Sequence, residues 1–232
     1  DYIATYYRPT NKSHTEKQGV EYSFDLGSWR ALCTSLIIDG AWFHIRRTDE
    51  QEYYSKISEN YDYIRLMPAG SGTLQNRVNT NFRFITHIPQ LKLVFSTTMQ
   101  VVWYESQQNI WQDGSGNDRF SLSDDGKVMP VGFYDKQGNY TPWQQGFGDR
   151  PEYSQMVNKS LAVAYDRETF RPWVMFNFRL TKEIGRVAEL SFTANNFTRT
   201  SRWHYYDTRT GYKQIYPDMY FGAELKLRIG SR

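Results

Sequence analysis

The stretch YPDMYFGAELKLRIGSR sets Met219, Phe221, Ala223, Leu225, Leu227 and Ile229 against Tyr220, Gly222, Glu224, Lys226 and Arg228 without a break. A period of two belongs to an extended strand whose two faces meet different surroundings. Water against a packed core satisfies that pattern, and so does water against lipid. Strand length separates the two cases. RALCTSLIIDGAWFHIRR keeps Leu32, Thr34, Leu36, Ile38, Gly40 and Trp42 in one phase, well beyond the ~5–6 residues of an ordinary soluble strand and in the range of a tilted membrane strand of ~9–11.

The same alternation recurs along the chain. Val20, Tyr22, Phe24 and Leu26 oppose Glu21, Ser23 and Asp25, with Gly27-Ser28 read as a turn. Val78, Thr80, Phe82, Phe84, Thr86 and Ile88 form a second apolar row and Leu91, Leu93, Phe95, Thr97, Met99, Val101 and Trp103 a third, with Pro89-Gln90 turning the chain between them. Proline lacks the donor a ladder needs, so it belongs at the turn. Val174, Phe176, Phe178 and Leu180 precede Gly185, and Ala188, Leu190, Phe192 and Ala194 follow it. With a short strand at 2–7, the pattern predicts about eight strands. Short turns near Gly27, Pro89 and Gly185 alternate with longer connections near Asn11, Tyr54, Gly138 and Gly211.

Composition sharpens the choice of surroundings. A mean hydropathy of −0.71 accompanies 17% aromatic residues, a combination that disordered or merely charged chains lack and that girdled membrane barrels need. A net charge of +3 with mixed signs marks no nucleic-acid surface. The single cysteine, Cys33, permits no internal disulfide or cysteine metal cluster, and it is read as an ordinary strand residue. The fold expected is all-β: a transmembrane antiparallel β-barrel with long outer loops at 48–73, 106–171 and 200–217. Within the longest loop, residues 151–170 are read as holding a short helix. Arg77, Arg83, Lys92, Arg179, Glu189, Glu224, Lys226 and Arg228 then face a polar lumen, because basic groups near a bilayer midplane cost ~2–4 kcal/mol each on the lipid face.

FNFRLTKEIGRVAELSFTANNFTR followed by YPDMYFGAELKLRI resembles the C-terminal end of a TonB-dependent outer-membrane receptor of the Bacteroides type, through the RLTKEIG turn, the NNF end of the penultimate strand and the YFGAEL last strand. The resemblance implies a 22-stranded barrel closed by an N-terminal plug, and energised uptake of an iron chelate, cobalamin, glycan or peptide across a bacterial outer membrane. This chain would supply about eight strands, the C-terminal third, without the plug. Its implied partners are the remainder of the barrel and plug, TonB, outer-membrane lipid and a surface lipoprotein, with no cofactor. The alternative is a small barrel closed on itself, acting as an enzyme or adhesin.

Candidate sites follow from the same patterns. His14, His44, His87 and His204 stand in no nucleophile or metal spacing, so no catalytic or metal role is assigned, and His87 and His204 are read as surface or interfacial residues. The segments at 113–118 and 123–127 lack the full spacing of a calcium loop and are read as polar turns. Trp42, Trp103, Tyr104, Trp173 and Trp203 are expected to form an interfacial girdle. Trp111, Phe133, Tyr134, Trp143, Phe147, Tyr205 and Tyr206 lie on loops, where they stack on a sugar or flat ligand, pack against a surface lipoprotein, or form the loops' own small core.

Overall fold

The computed structural model describes residues 11–58, 60–112, 118–119, 127–159, 162–207, 210–215 and 217–228. Seven long strands form one antiparallel meander: β1 (Ser13–Trp29), β2 (Thr34–Asp49), β3 (Ser71–Ile88), β4 (Leu93–Gln112), β5 (Trp173–Ile184), β6 (Ala188–Asn195) and β7 (Tyr220–Leu227). Each pairs with its neighbours in chain order. The expected strand at 2–7 and the segments at 113–118 and 123–126 lie outside the residues whose side chains are described. Among the described residues β1 and β7 do not pair with each other, so their sheet is open and not a closed barrel.

The tight turns share one end of the sheet. Arg30–Leu32 and Pro89–Leu91 are single 3-10 turns, each closed by a residue in the left-handed region, Cys33 at φ 49° and Lys92 at φ 48°. The N–H of each donates to the carbonyl of the first turn residue. This corrects two expectations. The first turn lies at Arg30–Leu32, while Gly27, at φ 72°, sits in a bulge of β1 where its N–H donates to Asp25 Oδ1 at 2.8 Å. Cys33 is an exposed turn residue, not a strand residue.

Register fixes the two faces. Cross-strand partners share a face, and Phe24, Ile38, Phe82, Met99 and Phe176 form one row from β1 to β5. Phe84, Thr97, Phe178, Ala194 and Phe221 form another from β3 to β7. This apolar face is bare: Phe24 is 56% exposed, Phe192 41%, Phe221 58% and Leu225 60%. The opposite face carries a polar ladder. Asn81 donates to Asp39 at 2.8 Å, and Arg83 stands 3.7 Å from Asp39. Arg179 reaches Ser191 at 3.0 Å and Glu224 at 2.6 Å, and Glu189 holds Lys226 and Arg228.

Gly40 shows how closely the two strands and a ring approach. A Cβ there would stand 2.4 Å from Tyr22 Oη, because the Tyr22 ring crosses β2 to place its hydroxyl 2.6 Å from Thr80 Oγ1. The Trp103 indole N–H also donates to Thr80 Oγ1, at 2.8 Å. Tyr22, Trp103 and Trp42 border the apolar face toward its loop end, and the polar handles of Tyr22 and Trp103 are tied back to Thr80. Trp173 departs from the girdle expectation: it pairs with Val102 on the polar face.

The packed hydrophobic clusters sit among the loops, while the buried apolar residues of the long strands, such as Leu36, Val101 and Ala194, are spread along the sheet. The short strands Tyr53–Lys56, Ile64–Met67, Gly132–Tyr134 and Tyr140–Pro142 make a second, four-stranded sheet. Phe133, Phe147 and Met156 are buried against it, surrounded by Ile57, Tyr61, Tyr63, Trp143 and Tyr153. Met67 and Val128 form a second cluster with Tyr53, Trp111 and Tyr165. The long loops are therefore shorter than expected. β2 runs to Asp49, β3 begins at Ser71, and β4 continues to Gln112. The expected helix within 151–170 is absent among the described residues, where two 3-10 turns, Ser154–Met156 and Ala162–Tyr165, flank the strand Asn158–Lys159.

Candidate functional site at the loop end of the polar face

Three rows of side chains cross the polar face where β1 to β4 approach the loops. Lys17, Ile45, Gln75, Gln107 and Glu168 make the outermost row; Gly19, Phe43, Arg77, Glu105 and Phe170 the next; Glu21, Ala41, Asn79, Val102 and Trp173 the third. The fifth position of the first two rows comes from Glu168–Phe170, a three-residue strand that pairs with β4. Gly19 lets the Phe43 ring lie flat, since a Cβ there would stand 2.7 Å from Phe43 Cδ1. Lys17 Nζ caps that ring at 3.8 Å from its centroid.

A hairpin of Arg202–Tyr205 and Tyr212–Ile215 is fastened to these rows. Its alternation is inverted: Arg202 and His204 are buried, whereas Trp203 and Tyr205 are exposed. Arg202 donates to Glu105 Oε2 at 2.8 Å and to the Arg171 carbonyl at 3.1 Å. His204 Nε2 lies 2.8 Å from Glu168 Oε2 with both side chains under one-tenth exposed. Phe170 packs beside both contacts, 4.4 Å from the His204 ring and 5.1 Å from the Arg202 guanidinium. His204 is thus a buried member of a charged cluster, which corrects its reading as a surface residue; His87 is exposed beside its turn.

The seven loop aromatics do not converge on one place. Phe133, Trp143 and Phe147 face one another in the loop core, with Phe133 only 3% exposed. Trp111 packs on Met67 and Val128. Tyr134 lies 5.0 Å from Tyr140 and 5.9 Å from Tyr54. Tyr205 is 71% exposed beside Tyr212. Tyr206 lines a cavity of 240 Å³ with Gln107, Phe170 and Lys213. Of the charged residues expected on the lumen side, Arg77 stands in the second of these rows, Lys92 lies in the turn, and Arg83, Arg179, Glu189, Glu224, Lys226 and Arg228 form the ladder already described.

Sequence reasoning passed over Lys17, Glu105, Glu168, Phe170, Arg202 and Lys213, and placed His204 at the surface. One signal was present: RWHY alternates with period two, its polar members on one phase and its aromatic ones on the other. The pairings themselves, Arg202 to Glu105 and His204 to Glu168, join residues far apart in the chain and leave no local signature. Comparison with protein families, with characterised proteins and with solved structures finds no match.

Proposed function

We propose that this chain is part of the wall and vestibule of a TonB-dependent outer-membrane transporter, the C-terminal portion of a larger barrel that takes up a nutrient ligand by energised transport. The observation that carries the reading is the distribution of polarity. One face of the seven long strands is apolar with its large side chains exposed, the other is ion-paired, and the packed hydrophobic clusters lie among the loops. In water a bare apolar sheet face of this extent is unfavourable by ~25 cal/mol per Å². Against lipid it costs nothing, and the polar face then lines the interior. The outer edges of β1 and β7 support the same reading, because unpaired ladder groups are untenable in lipid and call for further strands of the same barrel.

In this arrangement the tight turns face the periplasm and the structured loops face outward, where they meet the ligand and a surface lipoprotein. The chain does no covalent chemistry; the Glu168–His204 and Glu105–Arg202 pairs hold a hairpin in place. The test uses the full-length protein in outer-membrane fractions, with Cys33→Ser and single cysteines on each face. Cysteines at Phe24, Phe192 and Leu225 are expected to react only with a lipid-soluble maleimide, and those at Asn81, Ser96 and Thr193 with a water-soluble one. Equal reaction of both sets from water overturns the membrane wall. Transport is tested by accumulation of radiolabelled iron chelates, cobalamin, glycans and peptides in cells with and without functional TonB, and uptake that ignores TonB overturns that part.

A further inference from the structure

Cations at the loop end of the polar face differ from those of the ladder. Arg83, Arg179, Lys226 and Arg228 each stand by a carboxylate. Lys17, Arg77 and Lys213 have no ion-pair partner among the described residues. Lys17 Nζ lies over the Phe43 ring at 3.8 Å from its centroid, and Lys213 Nζ over the Phe170 ring at 5.8 Å. All three line one cleft of 380 Å³, whose single carboxylate, Glu105, is already engaged by Arg202. The cleft adjoins the 240 Å³ cavity through two shared residues, Gln107 and Lys213. Of the carboxylates there, Glu168 is held by His204, and Asp166 is exposed. The lining of the cleft itself, three cations against Glu105, is therefore net positive, beside the primary amides of Gln75, Asn79 and Gln107.

We infer that this cleft binds an anionic ligand bearing hydroxyl groups, of the acidic-oligosaccharide class. Arg77 offers a planar fork suited to a carboxylate, and Lys17 and Lys213 are point charges on either side of it. The amides can donate to and accept from sugar hydroxyls, which a purely cationic site could not do. A cleft lined by one sign of charge also raises the local concentration of such a ligand at its mouth. Glu105 contributes by positioning, since its bond to Arg202 draws the hairpin that carries Lys213 over the cleft.

The inference rests on the transporter reading for the idea that the polar face is the interior a ligand traverses, but its test does not. Full-length protein in detergent is titrated calorimetrically with oligogalacturonate, a neutral maltooligosaccharide of equal length, citrate and inorganic phosphate. Oligogalacturonate is expected to bind and the neutral sugar not, with affinity falling as salt rises. Arg77→Gln and Lys213→Gln each weaken binding about tenfold, the loss of one charge-assisted hydrogen bond. Lys136→Gln, whose partner Asp62 lies elsewhere on the loops, leaves it within about twofold. Citrate or phosphate binding as tightly as the uronate, with the same loss in Arg77→Gln, overturns the sugar assignment while upholding the anion site. Failure of every anionic probe, or binding indifferent to both substitutions, overturns the site itself. Reaction of the Phe192 cysteine from water would remove the transporter reading and leave these titrations unaffected.

Discussion

Phe133 and Asp135 lie two positions apart and anchor the loop layer in different ways. Phe133 is surrounded by Tyr63, Trp143, Phe147 and Tyr153, with ring centroids 5.1 to 6.5 Å away. Phe133→Ala is expected to lower the local stability of the loop layer by about 3–5 kcal/mol, the cost of a truncated buried aromatic. Hydrogen exchange of the Ile64–Met67 amides reads it, with Tyr205→Ala as the exposed control within about 0.5 kcal/mol. Asp135 acts by charge. The Asn139 side-chain amide, then the backbone N–H groups of Asn139, Gln137 and Gly138, hold its carboxyl below the usual carboxylate range. A depressed folded value means that the turn's order is complete above the unfolded value of about 3.9 and is lost as pH falls through the folded one. Protection of the Gln137 and Asn139 amides should therefore persist at neutral pH and vanish in acid, and Asp135→Asn should flatten that dependence. The sequence already offered the loop's own core as one reading of these aromatics. Which rings enter it could not be read, because Phe133 and Tyr134 are adjacent and only the second sheet decides which of them points inward.

The Arg202–Ile215 hairpin is held by contacts that no neighbouring residues announce. Arg202 is buried, and its guanidinium spans Glu105 on β4 and the backbone at Arg171. Arg202→Ala leaves Glu105 half-covered without its partner and is expected to cost about 3–5 kcal/mol of hairpin attachment. Limited proteolysis between Tyr205 and Tyr212 should then quicken, while cleavage in the loop core, which shares no partner with this cluster, is unchanged. A double substitution with Glu105→Gln should recover part of the loss, since it removes the stranded charge. The strands themselves were legible for the opposite reason. A half-apolar strand writes its orientation into every second residue, so the faces of β3, β5, β6 and β7 follow from the sequence alone. What escaped were features set by pairing: the bulge at Gly27, the extension of β4 to Gln112, and the closing strand at Glu168–Phe170.

Turn lengths sort the ends of the sheet, since an antiparallel meander must place alternate connections on opposite sides. That much was readable from the alternation of short and long connections, although the first short one lies at Arg30–Leu32 and not at Gly27. Closure was not, because pairing between distant edges leaves no local pattern. What surrounds the apolar face is the property on which the functional reading turns, and two adjacent positions on β6 separate the possibilities. Phe192 belongs to the apolar face, beside Leu180 and Ala223; Thr193 belongs to the polar face, opposite Gly222, where a Cβ would stand 2.9 Å from Thr193 Oγ1. In lipid, Phe192→Arg should cost ~2–4 kcal/mol near the midplane, whereas Thr193→Arg adds one more cation to a hydrated, charge-laddered surface. The fraction of full-length protein that assembles into heat-modifiable, protease-resistant barrel in the outer membrane should therefore fall severalfold for Phe192→Arg and stay near that of the parent for Thr193→Arg. Were the apolar face bathed in water, Phe192→Arg would be the milder of the two, because it would replace an exposed ring by a solvated charge.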